Sequence, residues 1–230
     1  YAAIRSLSKR TQQSLSQAGI AKRDRVAIVL PNGPEMATAF VTISGASTTA
    51  PLNPAYRQEE FEFYLDDLKA KALVVEAGSA SPAVAAAQKL GIPLINLVTD
   101  SSHAAGDFDL IFETTLPNAA ASHDSVDEND IALILHTSGT TSRPKIVPLS
   151  HINVTSSAEN IMNTLSLVPE DRCLNIMPLF HIHGLIATVL SSLRAGASIY
   201  CTPGFNALKY FSWMDDSKPT WYSAVPTMHQ

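Results

Sequence analysis

The sequence predicts an α/β fold of stacked, mostly parallel sheets with flanking helices. Three observations carry this. Short apolar runs rich in β-branched residues, such as Val26-Ala27-Ile28-Val29-Leu30 and Leu94-Ile95-Asn96-Leu97-Val98, have the pattern of strands buried on both faces. Between them lie segments whose apolar residues recur at helical spacing. Glycines and prolines punctuate the alternation where a helix must stop or a strand must turn.

Residues 2–18 read as a helix, with Ile4, Leu7, Leu15 and Ala18 on one face and Gly19 as its stop. Val26 to Leu30 is the first strand. Pro31-Asn32-Gly33 is a turn, and Pro34 opens a helix carrying Met36, Phe40 and Ile43 inward. Thr48 to Leu52 is the second strand, ended by Asn53-Pro54. Glu59 to Leu68 is helical, with Phe61, Leu65 and Leu68 on the core face. Ala72 to Val75 is the third strand, Pro82 to Leu90 an alanine-rich helix stopped by Gly91, and Leu94 to Val98 the fourth strand. From Asp100 to Asp130 the chain is rich in Ser, Asp, Asn and Ala and has little periodicity. It reads as a surface crossing between two sheet layers, with a first subdomain over about residues 1–125 and part of a second over about 126–230. Ile131 to Leu135 resumes the strand pattern, and Ser150 is a good N-cap for a helix through Leu165. Cys173 to Met177 is a strand, followed by Pro178-Leu179-Phe180-His181-Ile182-His183-Gly184 and a mostly apolar helix to Arg194. Ala197 to Cys201 is a strand, Phe205 to Met214 a helix, and Thr220 to Val225 the last strand.

Composition bounds the function. The 230 residues are 46% hydrophobic and 16% charged, ample for a packed core. A net charge of −5 argues against a nucleic-acid partner, which calls for a basic excess. No apolar run reaches the roughly 18–20 residues of a membrane span. The longest, Ile182 to Leu193, is broken by Gly184, Thr188, Ser191 and Ser192. Cys173 and Cys201 stand in apolar settings and read as buried free thiols of a reducing compartment, which suits the cytoplasm. The chain opens at Tyr1 and ends at Gln230 in mid-pattern, as a fragment would.

The chemistry concentrates in Leu135-His136-Thr137-Ser138-Gly139-Thr140-Thr141-Ser142-Arg143-Pro144-Lys145. It is not a Walker A loop, because Pro144 precedes the lysine and Ile146 follows it. No G-x-S-x-G elbow is present either. Gly139 lets backbone come close to a ligand. The hydroxyls of Thr137, Ser138, Thr140 and Thr141, with neighbouring N–H groups, can wrap phosphate oxygens while Lys145 offsets their charge. Residue chemistry alone leaves phosphate binding and an ordinary Ser/Thr-rich hairpin loop both open. His181 and His183 form a His-x-His pair with no third ligand near in sequence, so no metal site is predicted.

Leu135 to Lys145 resembles the phosphate-binding signature of the adenylate-forming superfamily, which includes acyl-CoA synthetases, luciferases and peptide-synthetase adenylation domains. Leu30-Pro31-Asn32-Gly33-Pro34-Glu35, Ala50-Pro51-Leu52-Asn53-Pro54-Ala55-Tyr56, Met177-Pro178-Leu179-Phe180-His181 and Ala224-Val225-Pro226-Thr227 resemble its other signatures, in the right order. Within the superfamily, the wording of Phe180-His181-Ile182-His183-Gly184-Leu185 and Thr220 to Thr227 is similar to that of oxalate–CoA ligases. Other short-chain, aryl or fatty acyl-CoA ligases share parts of these motifs, and a truncated nucleotide-binding remnant would too.

The resemblance implies part of a large N-terminal AMP-binding domain and a C-terminal domain, outside this chain, that catalysis needs. It implies ATP, Mg²⁺ and coenzyme A as cofactors and a small carboxylic acid, oxalate, as substrate. Thr137, Ser138, Gly139, Thr140, Thr141 and Lys145 would hold the β- and γ-phosphates. His181 would be the catalytic and substrate-binding residue that orients the carboxylate, and His183 would line the acyl pocket. A C-terminal signal beyond Gln230 would redirect the protein to peroxisomes. One residue departs from the pattern: the superfamily usually has Gly directly after the lysine, and here Ile146 stands there. A β-branched residue resists positive φ, so a shifted or looser loop is expected.

Overall fold

The computed structural model describes residues 1–113, 126–137 and 144–229. They divide into two compact units, Tyr1–Leu30 with Thr38–His151, and Pro31–Ala37 with Ile152–Gln230.

The first unit is built in chain order from α1 (Ala2–Gln17), β1 (Arg25–Val29), α2 (Pro34–Ser44, whose first turn is assigned to the second unit), β2 (Thr48–Pro51), α3 (Gln58–Leu68), β3 (Ala72–Glu76), α4 (Pro82–Leu90), β4 (Leu94–Val98), β5 (Asp109–Phe112), β6 (Ile131–Thr137) and β7 (Lys145–Ser150). Among the described residues its seven strands lie in the order β5-β4-β3-β1-β2-β6-β7. The inner pairs are parallel, and the two outer strands run antiparallel to their neighbours. Parallel neighbours need crossovers, which α2, α3 and α4 supply.

The apolar run of β1 is buried throughout, as a strand covered on both faces must be. On one face, Phe61, Leu65 and Leu68 of α3 meet Ala83, Ala86 and Ala87 of α4 over Ala27, Val29, Leu73 and Val75. Alanines at the contact let the two helices lie close together. The ends of α4 follow local chemistry. Ser81 accepts a hydrogen bond from the Ala83 N–H at 3.2 Å, Pro82 takes the first position, and Gly91 closes the helix at φ 67°.

Two strands escape the sequence reading. β5 lies inside the segment taken as an aperiodic crossing. It is a four-residue edge strand exposed on alternate residues, with Ile111 54% exposed, and so short an alternation is not distinctive. β7 occupies the stretch expected to be loop and helix lead-in, and β6 runs two residues past its expected end at Leu135. Pro148 in β7 lacks a ladder donor, which is tolerated because β7 is an edge strand. The subdomain boundary expected near residue 125 falls among residues 114–125, outside the described ones. The strands after it, β6 and β7, complete the first unit's sheet.

The second unit contains α5 (His151–Thr164, its first residue in the first unit), β8 (Arg172–Asn175), a π-helical segment His183–Leu190, α6 (Ser191–Ala195), β9 (Ser198–Cys201), α7 (Ala207–Ser217), β10 (Trp221–Ser223) and a 3₁₀ turn Pro226–Met228. Its strands form a parallel sheet ordered β10-β8-β9. β8 stops two residues before the expected Met177 for a visible reason. The Asn175 side chain accepts from the Met177 N–H and donates to the Met177 carbonyl, both at 3.3 Å, so that residue is withdrawn from the ladder.

The helix expected up to Arg194 opens as a π-helix instead of an α-helix. The hydroxyls of Thr188, Ser191 and Ser192 each donate to the carbonyl four residues back at 2.6 Å. Those carbonyls are thereby occupied, and the Ser191 N–H reaches five residues back to Ile186. Cys173 and Cys201 are free thiols, and burial pushes both up to about 12. No helix among the described residues is long and apolar enough to cross a membrane.

Candidate functional site

In the first unit, the candidate segment runs between two paired strands. β6 and β7 pair antiparallel from Ile131↔Ser150 to Thr137↔Lys145, so the first and last of the predicted phosphate-binding residues form the terminal pair of the ladder. Both are exposed. The strand extension therefore corrects the reading of Thr137 and Lys145 as loop residues. Ser138, Gly139, Thr140 and Thr141 lie outside the described residues.

β6 joins the parallel sheet through one ladder pair, Thr49↔Leu133. Side chains reinforce the joint, because the hydroxyls of Thr48 and Thr49 donate to the carbonyls of Ile131 and Ala132, each at 2.7 Å. Two hydrogen bonds of this kind contribute about 1 kcal/mol each and fix β6 lengthwise.

Beside Thr137, His136 anchors β6 to α3. Its side chain is 6% exposed, and its Nε2 lies 3.3 Å from Asp67 Oδ2. The ring meets Tyr64 edge-on at 4.6 Å, and Tyr64 stacks on Tyr56 at 4.8 Å. Burial lowers the His136 pKa, against the opposing pull of the Asp67 carboxylate. Burial and the Tyr64 hydroxyl raise that of Tyr56. Ile146 pairs with His136 in the extended backbone of β7 and packs against the core cluster. An extended residue has no need of positive φ, so the strain expected from Ile in place of Gly is not incurred.

In the second unit, the histidine motif lies in the turn between β8 and the π-helical segment. The His181 N–H reaches the Pro178 carbonyl at 3.3 Å, and the Leu185 N–H reaches the His181 carbonyl at 3.1 Å. His181 is exposed, and its ring contacts Phe180 at 4.4 Å. Partial burial still lowers its pKa, which favours a neutral imidazole. His183 opens the π-helical segment, with its Nε2 2.6 Å from the Ser223 hydroxyl on β10. The two histidines thus lie in a turn and at the start of a helical segment, not on a strand. Among the described residues no three His, Cys, Asp or Glu side chains gather as metal ligands.

Gly184 is required sterically. A Cβ there would stand 2.3 Å from the Pro178 carbonyl oxygen and 3.0 Å from its carbon. Thr188 Oγ1 lies 2.6 Å from the Gly184 carbonyl and 2.9 Å from Asn175 Oδ1, tying the segment to the end of β8.

Sequence reasoning assigned no role to His136, Asp67, Ser223 or Asn175. Asn32 was read as a turn residue within a signature-like stretch, with no role in the site. Ser223 lies within the Thr220–Thr227 motif, the one sequence signal that marks it. The His136–Asp67 contact joins residues 69 apart and left no local signal.

A mostly parallel open sheet with helices as crossovers defines an α/β protein, with β6 leading into the hydroxyl- and lysine-bearing segment. The chain belongs to the AMP-binding enzyme family, whose model matches residues 1–230. It is 40% identical over 239 residues to the oxalate–CoA ligase of Arabidopsis thaliana, covering 100% of this chain and 45% of that protein. It is 39% identical over 238 residues to "Probable CoA ligase CCL9" of Humulus lupulus, covering 100% of this chain and 44% of that protein. Among solved structures, ATP-bound MatB from Rhodopseudomonas palustris superposes with a TM-score of 0.79 at 27% identity, over 99% of this chain and 44% of that one. The chain spans less than half the length of these relatives.

Proposed function

We propose that this protein is the phosphate-gripping part of an ATP-dependent acid–CoA ligase that acts on oxalate. The observation that supports it best is the hairpin ending at Thr137 and Lys145. It carries hydroxyls, a glycine and a lysine at the carboxyl end of a parallel strand, the end where open α/β sheets take ligands. The identity to an oxalate–CoA ligase supports the choice of acid.

The donor set fits a polyphosphate. Lys145 is exposed, and among the described residues no carboxylate forms an ion pair with it. Thr137, Ser138, Gly139, Thr140, Thr141 and Lys145 hold the β- and γ-phosphates. Mg²⁺, when bound, would neutralise phosphate charge. The His181 imidazole, neutral at pH 7, orients the carboxylate. Its oxygen attacks the α-phosphorus as the bond to pyrophosphate breaks. His183 donates a hydrogen bond to the distal carboxylate of oxalate. The thiol sulfur of coenzyme A then attacks the acyl carbon and AMP leaves, a step that needs the C-terminal domain. The proposed setting is the cytoplasm, or the peroxisome if the full-length protein carries a C-terminal signal.

The test is a panel of acids with ATP, Mg²⁺ and coenzyme A on the full-length protein. We expect oxalate to lead monocarboxylates and fatty acids by at least about tenfold in kcat/KM. Lys145→Ala should raise the KM for ATP. The 230-residue chain alone should show little pyrophosphate exchange. Release of AMP with no acid, or preference for a long acid, would overturn the assignment.

A further inference from the structure

We infer that Asn32 is the positioning residue of the histidine motif: its one carboxamide fixes the backbone of Met177-Pro178-Leu179 and thereby sets where His181 sits. Oδ1 accepts a hydrogen bond from the Leu179 N–H at 2.7 Å. Nδ2 donates to the carbonyls of Met177 at 3.2 Å and Thr202 at 3.0 Å. All these residues belong to the second unit. Both Nδ2 protons and the Oδ1 acceptor are used, and the partners define the orientation of the amide. Rotating it by half a turn would set NH₂ against N–H and oxygen against two carbonyls.

The location explains why a carboxamide is needed. β8 ends at Asn175 and β9 at Cys201, and just beyond them the Thr202 N–H reaches the Asn175 carbonyl at 3.2 Å. Asn32 stands past that point, supplying a donor and an acceptor as the peptide unit of an adjoining strand would. Met177 and Leu179 are 4% and 1% exposed, so water has poor access to replace it. Unmet backbone groups in such a setting are costly.

From the clamped segment to His181 the chain has no slack. Phe180 follows Leu179 directly, the His181 N–H closes back on the Pro178 carbonyl, and Gly184 packs against that same carbonyl. A turn role alone would accept any good turn former at position 32. Three simultaneous contacts to one N–H and two carbonyls accept only a carboxamide of this length. Aspartate would aim a carboxylate at two carbonyl oxygens, and alanine would leave the Leu179 N–H and the Thr202 carbonyl without this partner and the Met177 carbonyl with only the longer bond from Asn175. The motif Leu30 to Glu35, set apart in the sequence but given no role, thereby acquires one.

The kinetic consequence rests on the proposed role of His181; the positioning does not. The test compares the 230-residue chain with its Asn32→Ala and Asn32→Asp variants by NMR, reading amide exchange and the titration of each imidazole. We expect the Leu179 amide to exchange about tenfold faster or more in both variants. The His181 midpoint should rise toward the ordinary histidine value, while amides of β1 and β3 keep their rates. Folded variants with unchanged Leu179 exchange and unchanged His181 titration would overturn the inference. If neither variant folds, the unmodified chain decides: Asn32 Nδ2 protons exchanging as fast as those of a free carboxamide would overturn it, and slower exchange would support it. In the full-length protein, Asn32→Ala should lower kcat for the acid about tenfold while the KM for ATP stays within about twofold. Full activity of His181→Ala, alongside the NMR changes, would reject the role of His181 and leave the positioning by Asn32 intact.

Discussion

His183 Nε2 lies 2.6 Å from Ser223 Oγ, a contact between the first residue of the π-helical segment and the last residue of β10. The contact engages Nε2, so Nδ1 is the ring nitrogen not engaged by Ser223. If His183 contacts the acid as proposed, Ser223 sets the ring nitrogen that does so. Ser223→Ala should raise the KM for a small diacid about fivefold, the equivalent of roughly 1 kcal/mol for one lost hydrogen bond. Ser223→Thr, which keeps the hydroxyl, should restore most of it. Imidazole ¹⁵N shifts of His183 report the tautomer directly, and an unchanged tautomer in Ser223→Ala would reject the account.

Gly184 offers a harder test, because its constraint is backbone against backbone. A methyl group there overlaps the Pro178 carbonyl, which cannot rotate out of the way as a side chain would. Gly184→Ala should destabilise the chain by about 1–3 kcal/mol through overpacking, seen as a lower urea midpoint at constant m. The same carbonyl receives the His181 N–H, so the His181 titration should shift with it. A variant as stable as the parent would show that the turn has room to move.

Acid should weaken the fold through histidine. Burial holds the His136 pKa below its ordinary 6.5, despite the Asp67 carboxylate. The unfolded chain then takes up a proton near pH 6.5 while the folded one does not. Stability from this group is full above that pH and is lost as pH falls toward the depressed folded value. His151 and His181 are lowered too, by burial, and add to the same slope. Melting temperature should fall from pH 7.5 to 5, and the fall should be shallower in His136→Gln. The slope is the readout, since the substitution also changes stability at neutral pH. Equal slopes would mean that His136 titrates normally in the folded chain.

What the sequence revealed and what it hid divides along a physical line. β1, β3 and β4 were legible because strands covered on both faces are written as nearly continuous apolar runs, and α4 because Pro82 and Gly91 mark its ends. β5 and β7 were hidden because edge strands need only half an apolar face. In the candidate site, Thr137, Lys145, His181 and His183 were visible as residue types within motifs. Their supports were not. Asn32 contacts residues 145 to 170 positions away, and Ser223 lies 40 from His183. Such pairings depend on where folding brings the chain together, which no local pattern records.

Ile146 is where reading the motif and reading the structure give opposite advice. The motif suggests that restoring the superfamily's usual glycine would free the loop and tighten its hold on ATP. In the structure Ile146 is a β7 residue opposite His136, half-buried against the cluster that contains Ile134, Phe61 and Leu65. Ile146→Gly removes that packing and adds backbone freedom to an edge strand, a loss of about 1–3 kcal/mol. It should also loosen the Thr137↔Lys145 pair, because that pair is the next step of the same ladder. Thermal melts of the variant should show the lost stability, and nucleotide titration should show ATP binding unchanged or weaker. Tighter ATP binding with no loss of stability would mean that the glycine suits this hairpin after all.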